Sequence, residues 1–232
     1  MGAPAPFRRD DESHPPLDWA DYRSTALRAP RRPLRPLRQG AVELSGPVFG
    51  EDRVGERDHD LTLGGSGEPL GERIFVHGRV VEDDGRSVPG ALVEVWQANA
   101  AGRYAHAVDR HPAPLDPNFE GVGRCLTDAE GRYRFVTVKP GPYPWGNHHN
   151  AWRPAHIHFS VFGRAFAQRL VTQMYFPGDP LFEFDPIFNS VRDPAARERL
   201  VAAFDLDAAE PERALAYRWD IVLRGREETP FE

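Results

Sequence analysis

The sequence predicts an all-β fold, an antiparallel β-sandwich with long loops, one or two short helices and an extended N-terminal arm. Three observations carry that expectation. Of 232 residues, 21 are Gly and 23 are Pro, about a fifth of the chain, which leaves room for few uninterrupted helices. The excess follows no period, which excludes collagen, and it sits beside well-formed apolar runs, which excludes wholesale disorder. From Arg73 onward, apolar residues alternate with period two in short runs separated by turns.

Taken in order, residues 1–72 form one unit and residues 73–232 another. In the first, Pro15, Pro16, Pro30, Pro33, Pro36 and Pro47 break every pattern, and RAPRRPLRPLR (Arg28 to Arg38) is basic and proline-punctuated. Composition alone fits a flexible tail. Trp19, Tyr22, Leu34 and Leu37 are more apolar anchors than a free tail needs, and they favour an arm that wraps its own domain or a partner chain. A strand opens at Arg73, with Ile74, Val76 and Val80 on one face and Phe75, His77, Arg79 and Val81 on the other. The turn Asp83-Asp84-Gly85-Arg86 leads to a strand over Ala91–Gln97. The connection from Ala98 to Cys125 has no clear period, and loops of that length carry function. A turn at Asp128-Ala129-Glu130-Gly131 introduces Arg132–Val138, with Tyr133 and Phe135 on one face, ended by Pro140-Gly141-Pro142. Further strands are expected over Ala155–Val161, Gln168–Tyr175 and Ala216–Leu223. One helix is expected from Asp193 as N-cap, through Pro194 and Ala195, to about Ala203. The acidic C-terminal stretch reads as a solvated end.

Charge and cysteine usage exclude several classes. Lys plus Arg total 29 against 35 for Asp plus Glu, a net charge of −6, which disfavours a nucleic-acid binder. The single cysteine, Cys125, excludes an internal disulfide framework and a cysteine-based zinc site. The opening MGAPAPFRRDDESHPP holds no apolar core of a signal peptide, and no apolar run reaches membrane-span length, so a cytoplasmic protein without membrane contact is expected.

The most informative triplet is His156-Ile157-His158. Residues two apart on a strand point the same way, so both imidazoles share one face while Ile157 and Phe159 face the core. Two imidazoles on a rigid strand make half of a metal site, although an isolated His-x-His is as often a pair of surface histidines. Tyr143, Trp145, Trp152 and Arg153 crowd the dozen residues upstream, and His148 and His149 are rival ligands that read as loop residues. No Cys, Asp or Glu stands in that strand, so the remaining ligands come from elsewhere. Tyrosine is an option, because a phenolate is a hard anionic donor suited to a trivalent ion.

These residues also carry a family resemblance. VEVWQANAAGRYAH (Val93 to His106), PLDPNFEGVGRCLTD (Pro114 to Asp128), KPGPYPW (Lys139 to Trp145), WRPAHIHFS (Trp152 to Ser160), QRLVTQMYFPGD (Gln168 to Asp179) and YRWDIVLRGREETPFE (Tyr217 to Glu232) resemble the intradiol ring-cleaving dioxygenases. Within that family they are most similar to the iron-bearing subunit type that opens protocatechuate (3,4-dihydroxybenzoate) with O2 to 3-carboxy-cis,cis-muconate in aromatic catabolism. The resemblance implies a transthyretin-like sandwich and one non-haem Fe(III) per chain, held by Tyr104, Tyr143, His156 and His158. It implies that Tyr143 is displaced by substrate and takes its proton, that Arg153 stabilises charge developing on the ring, and that Gln173 holds Arg153. It places Trp145 and Ile187 in the pocket wall and Tyr22 near the substrate carboxylate, and it implies a homologous α-type subunit in a hetero-oligomer. After Trp145 the sequence departs from the family, with Gly146, His148 and His149 where basic residues are the pattern.

Two other readings stand beside it. The strand and turn runs alone also suit an iron-free transthyretin-like binding module, and the four tyrosine and histidine positions with Arg153 and Gln173 separate the two. Catechol or hydroxyquinol enzymes of the same family carry N-terminal helices for homodimerisation, which the proline-broken residues 1–72 do not suit.

Overall fold

In the computed structural model, which describes residues 12–32, 54–149, 151–163 and 169–231, two sheets face each other across one main core. Pro33, Leu34, Pro36, Leu37, Pro47 and Gln168 lie outside the described residues. The elements of the first sheet are β1 (Arg73–Val81), β4 (Arg132–Val138), β9 (Ala203–Phe204), β10 (Leu215–Arg218) and β11 (Ile221–Val222). The second sheet runs in the order β3 (Val122–Leu126), β2 (Leu92–Trp96), β7 (His156–Phe162), β8 (Arg169–Tyr175), antiparallel throughout. A two-stranded ribbon joins β5 (Tyr143–Trp145) to β6 (Ala151–Arg153). Two short helices complete the set, α1 (Thr25–Arg28) and α2 (Pro194–Glu198).

Alternation sets the core. Ile74, Val76 and Val80 from β1, Tyr133 and Phe135 from β4, Val93 and Val95 from β2 and Ile157, Phe159 and Val161 from β7 all point inward and are nearly solvent-free. Phe159 lies within ring contact of Tyr133, Phe135 and Trp219, so one side chain ties the sheets together. Burying a side chain of that size contributes about 1.5–3 kcal/mol. The opposite face of β1 buries Phe75 in a smaller cluster with Ala214 and Ala216. Leu61, before the first strand, also enters the main core.

The structure adds strands β3, β5 and β6, which the alternation does not announce, and corrects the expected pattern elsewhere. The sandwich is not wholly antiparallel, because β1 pairs in parallel with β10 and then with β11. The single strand expected over Ala216–Leu223 is therefore two. Between them Trp219 N–H still donates to His77 C=O at 2.8 Å, but its carbonyl turns to accept from the Tyr133 hydroxyl at 2.6 Å, and the Asp220 side chain accepts from the Arg79 N–H. The helix from Pro194 stops at Glu198, although Asp193 caps it as expected through Ala195 N–H. Tertiary pairing wins there: Tyr175 N–H donates to Leu200 C=O and Ala202 N–H to Tyr175 C=O, which pulls that backbone out of the helix. The C-terminal stretch is no solvated end, since Thr229 and Pro230 are buried and Phe231 packs on the core and stacks on His14.

Candidate metal centre and its pocket

The outer face of the second sheet builds the site. Cross-strand partners share a face, so the register places Trp96, His158 and Gln173 in one row and His156 beside Tyr175 in the next. Their sequence neighbours Ile157, Phe159 and Met174 point into the core. Trp96 lies flat on His158, with ring centroids 4.9 Å apart and planes 2° from parallel, which fixes that imidazole.

The two tyrosines arrive on loops tied to each other. Asn99 is buried and organises the first: its Oδ1 accepts from Ala101 and Arg103 N–H, and its C=O accepts from Gly102 and Gly141 N–H. That last bond joins the loop carrying Tyr104 to the stretch that delivers Tyr143. Gly102 has φ +79°, and a Cβ there would lie 2.1 Å from Pro142 O, so only glycine allows the approach. The Tyr104 and Tyr143 hydroxyls then stand 3.5 Å apart, and Tyr143 Oη lies 3.1 Å from His156 Nε2. The His156 and His158 rings are 4.8 Å apart, centroid to centroid.

His156 is poised as a neutral donor. Burial first, then the Arg153 charge and His158, push its pKa well below the ordinary histidine value. Nδ1 lies 2.7 Å from Pro154 C=O, which assigns the proton to that nitrogen and leaves the Nε2 lone pair facing Tyr143. Ligands about 2.0–2.2 Å from one ion, spread by 90–120°, stand about 2.8–3.8 Å apart. The 3.5 and 3.1 Å separations fit that spacing. Among the described residues, His, Cys, Asp and Glu gather nowhere in threes that could hold a metal, so an ion here would rest on tyrosines as well as histidines.

Arg153 sits beside this group, on the ribbon directly across from Tyr143. It is 1% exposed, and burial alone would lower its pKa. Asp185, then Tyr175 and Tyr143, outweigh that and hold the guanidinium charged, its pKa well above the usual value. Its partners are Asp185 (Nε to Oδ1, 2.9 Å; NH2 to Oδ2, 3.1 Å), Gln173 Oε1 (2.5 Å) and Tyr175 Oη (2.9 Å). The Trp145 ring lies 5.7 Å from its charged carbon and meets Tyr22 edge-on at 4.7 Å. Tyr22 and Ile187 line a cavity of about 150 Å³ with Trp19, Arg28 and Phe231; the arm supplies part of that cavity's wall, and Tyr104, Tyr143, His156, His158 and Arg153 are not among its lining residues. His148 lies in a turn and reaches towards Asp21 of the arm at 3.8 Å.

All the sequence-predicted residues thus meet in one region: Tyr104, Tyr143, His156 and His158 at the centre, Arg153 and Gln173 beside them, Trp145, Tyr22 and Ile187 at the rim. Sequence reasoning missed Asp185, Tyr175, Trp96 and Asn99. Asp185 carried one signal, an acid in the apolar run LFEFDPIF (Leu181 to Phe188), where a buried charge demands a partner.

Comparison with known proteins gives the class. Residues 44–225 match the family model described as Dioxygenase, and residues 7–40 match that described as Protocatechuate 3,4-dioxygenase beta subunit N terminal. The chain belongs to the intradiol dioxygenase family that its motifs resembled. Within it, the chain is 61% identical to the protocatechuate 3,4-dioxygenase beta chain of Burkholderia cepacia, over 97% of this chain and 96% of that protein. It is 33% identical to the protocatechuate 3,4-dioxygenase alpha chain of Pseudomonas putida, over 69% of this chain and 76% of that one. The crystal structure of 3-chlorocatechol 1,2-dioxygenase from Rhodococcus opacus 1CP shares the fold, with a TM-score of 0.55 and 24% identity over 75% of this chain and 68% of that one. Among the described residues no helix is long and apolar enough to cross a membrane.

Proposed function

We propose that this chain is the iron-bearing subunit of a protocatechuate 3,4-dioxygenase, opening 3,4-dihydroxybenzoate between its hydroxyl-bearing carbons to give 3-carboxy-cis,cis-muconate. The observation that carries the reading is the convergence of two tyrosine hydroxyls and two imidazoles beside a buried, charged arginine. Tyr104, Tyr143, His156 and His158 would hold one Fe(III), and phenolates suit the ferric ion. Ferric iron held there would supply the electron withdrawal that makes a catechol ring reactive towards O2. The chain supplies the rest. Tyr143, as a phenolate, takes a substrate proton and acts as the base. Arg153, itself 1% exposed, meets the negative charge that develops on the ring. Gln173 holds Arg153 from one side. Trp145 and Ile187 shape the wall, and Tyr22 binds the substrate carboxylate.

Residues 1–72 serve as a wrapping and interface arm, with Leu61 anchoring it to the catalytic domain of residues 73–232. The partner is a homologous α-type chain, as the beta and alpha chain relatives support. The protocatechuate type is favoured over catechol or hydroxyquinol enzymes because residues 7–40 match the N-terminal segment of that type. A partly buried lone thiol suits a reducing cytoplasm.

The test uses protein co-expressed with its α-type chain. Iron content, a visible tyrosinate-to-iron charge-transfer band and O2 uptake are measured with protocatechuate, catechol and hydroxyquinol side by side. The expected result is about one iron per chain and the fastest uptake with protocatechuate. Colourless, iron-free native protein, or no uptake with protocatechuate, overturns the reading.

A further inference from the structure

The bonds to Arg153 are one-sided. Among the described residues all four leave from Nε and NH2, and none leaves from NH1. Asp185 faces the Nε–NH2 edge with both carboxylate oxygens, the forked geometry that fixes a guanidinium plane. Tyr175 lies against the same edge, its hydroxyl also within hydrogen-bond reach of Gln173 Oε1 (3.1 Å) and Asp185 Oδ2 (3.2 Å). Arg153, Asp185 and Tyr175 are each 1% exposed or less.

Asp185 is itself held by its own segment. Its Oδ1 accepts from Ile187 N–H at 3.0 Å, and its C=O accepts from Asn189 N–H at 3.0 Å and from Asn189 Nδ2 at 2.9 Å. Tyr175 is clamped edge-on against Phe182 and Phe188, which flank Asp185 in sequence. Fixed groups therefore grip one edge of the guanidinium and leave the NH1 edge without a hydrogen bond among the described residues.

We infer that Asp185 and Tyr175 are positioning residues, which orient Arg153 so that its NH1 edge is presented to the bound ring. The inference rests on the ring-cleaving reading above. Neither residue needs to touch substrate, and both act through Arg153. Replacing Asp185 removes the fork, so the guanidinium rotates and the charge developing on the ring loses its counter-charge.

The holoenzyme co-expressed with its α-type chain tests this, with Asp185→Asn and Tyr175→Phe made alone and each combined with Arg153→Gln. Asp185→Asn is expected to lower kcat about 10–100-fold, as removal of an orienting partner does. KM, anaerobic binding of protocatechuate and the charge-transfer band should stay near wild type. Tyr175→Phe, which keeps the charge pair, should lower kcat about threefold, because one neutral hydrogen bond is lost. In the Arg153→Gln background both effects should shrink below about twofold, the signature of residues acting through one group. An undiminished effect in that background overturns the inference, as does a kcat within twofold of wild type for both single variants. Should Asp185→Asn fail to fold, Tyr175→Phe and its double variant decide alone by the same rule. Inactive wild-type enzyme would instead sink the functional reading, and this inference with it.

Discussion

The two faces of strand β7 do opposite work one residue apart. Ile157, Phe159 and Val161 point into the sandwich and carry no polar group, whereas His156 and His158 point outward into a polar cluster. Both faces are buried: His156 is 2% exposed and Ile157 also 2%. Burial does not distinguish core from site here, but partners do. On the inner face each side chain meets only apolar neighbours and the free energy is that of transfer from water. On the outer face buried polar atoms need specific counterparts, and loops of the chain supply most of them, although Gln173 Nε2 has none among the described residues. A rigid, apolar inner face is what lets the outer face hold its donors at fixed spacing.

Substitutions on the two faces should separate these roles. The largest effect belongs to the outer face. Tyr104→Ala or His156→Ala should leave less than about 1% of wild-type activity and abolish the charge-transfer band, because a ligand of the proposed site is gone. Metal analysis and visible absorption check it, and full activity in either variant breaks the comparison. On the inner face, Phe159→Ala should cost about 3–5 kcal/mol of stability, read from denaturant midpoints, while the protein that remains folded still binds iron. Loss of iron in proportion greater than loss of fold would show that the faces are not separable.

A third substitution lies between them. Gly102→Ala forces φ +79° on a residue with a Cβ and drives that atom against Pro142 O. The conformation costs about 1–2 kcal/mol, and relief of the clash must move Tyr104 relative to Tyr143. Iron affinity should fall about tenfold with only a modest drop in melting temperature, measured by metal titration and thermal unfolding. The smallest effect concerns Cys125, which packs on the core from the partner sheet edge. Burial pushes its thiol up to about 12 from 9.0. Iodoacetamide at pH 8 should leave the native protein unmodified and label it only once unfolded. The sign of the linkage follows: the unfolded thiol ionises first, so stability is intact below pH 9.0 and declines as pH rises towards about 12. Urea midpoints taken across that range check it.

Strands β1 and β4 were legible to the residue because period-two alternation marks much of their length and turn residues bound them. Strand β3 was hidden in the long connection. It is an edge strand with little burial, and at Gly123 a Cβ would lie 2.4 Å from Leu61 Cδ1, so its apolar signal is weak. The parallel pairing of β1 with β10 and β11 could not be read, since alternation reports which face is buried and not which strand lies alongside. In the site, His156 and His158 were legible from strand period, and the two tyrosines and Arg153 from family motifs. Asp185 and Tyr175 come from segments without a shared pattern and meet Arg153 only through the tertiary fold. Asn99 was missed for a similar reason, as its bonds serve backbone groups of an aperiodic loop.

The parallel pairing of β1 with the far end of the chain also bears on how the protein reaches its fold. Ile74 lies beside Leu215 and Val80 beside Ile221, so the first strand of the sandwich waits until residues 215–222 have been made. Until then, among the described residues, β1 has only β4 alongside it in the sheet, and the inward faces of both strands lack Trp219 and Ile221 as cover. Closing loops of that length makes folding slow and leaves a nascent chain with an open, adhesive sheet edge. A ribosome stalled before residue 215 would therefore carry a chain that a chaperone must shield, whatever the state of its metal site.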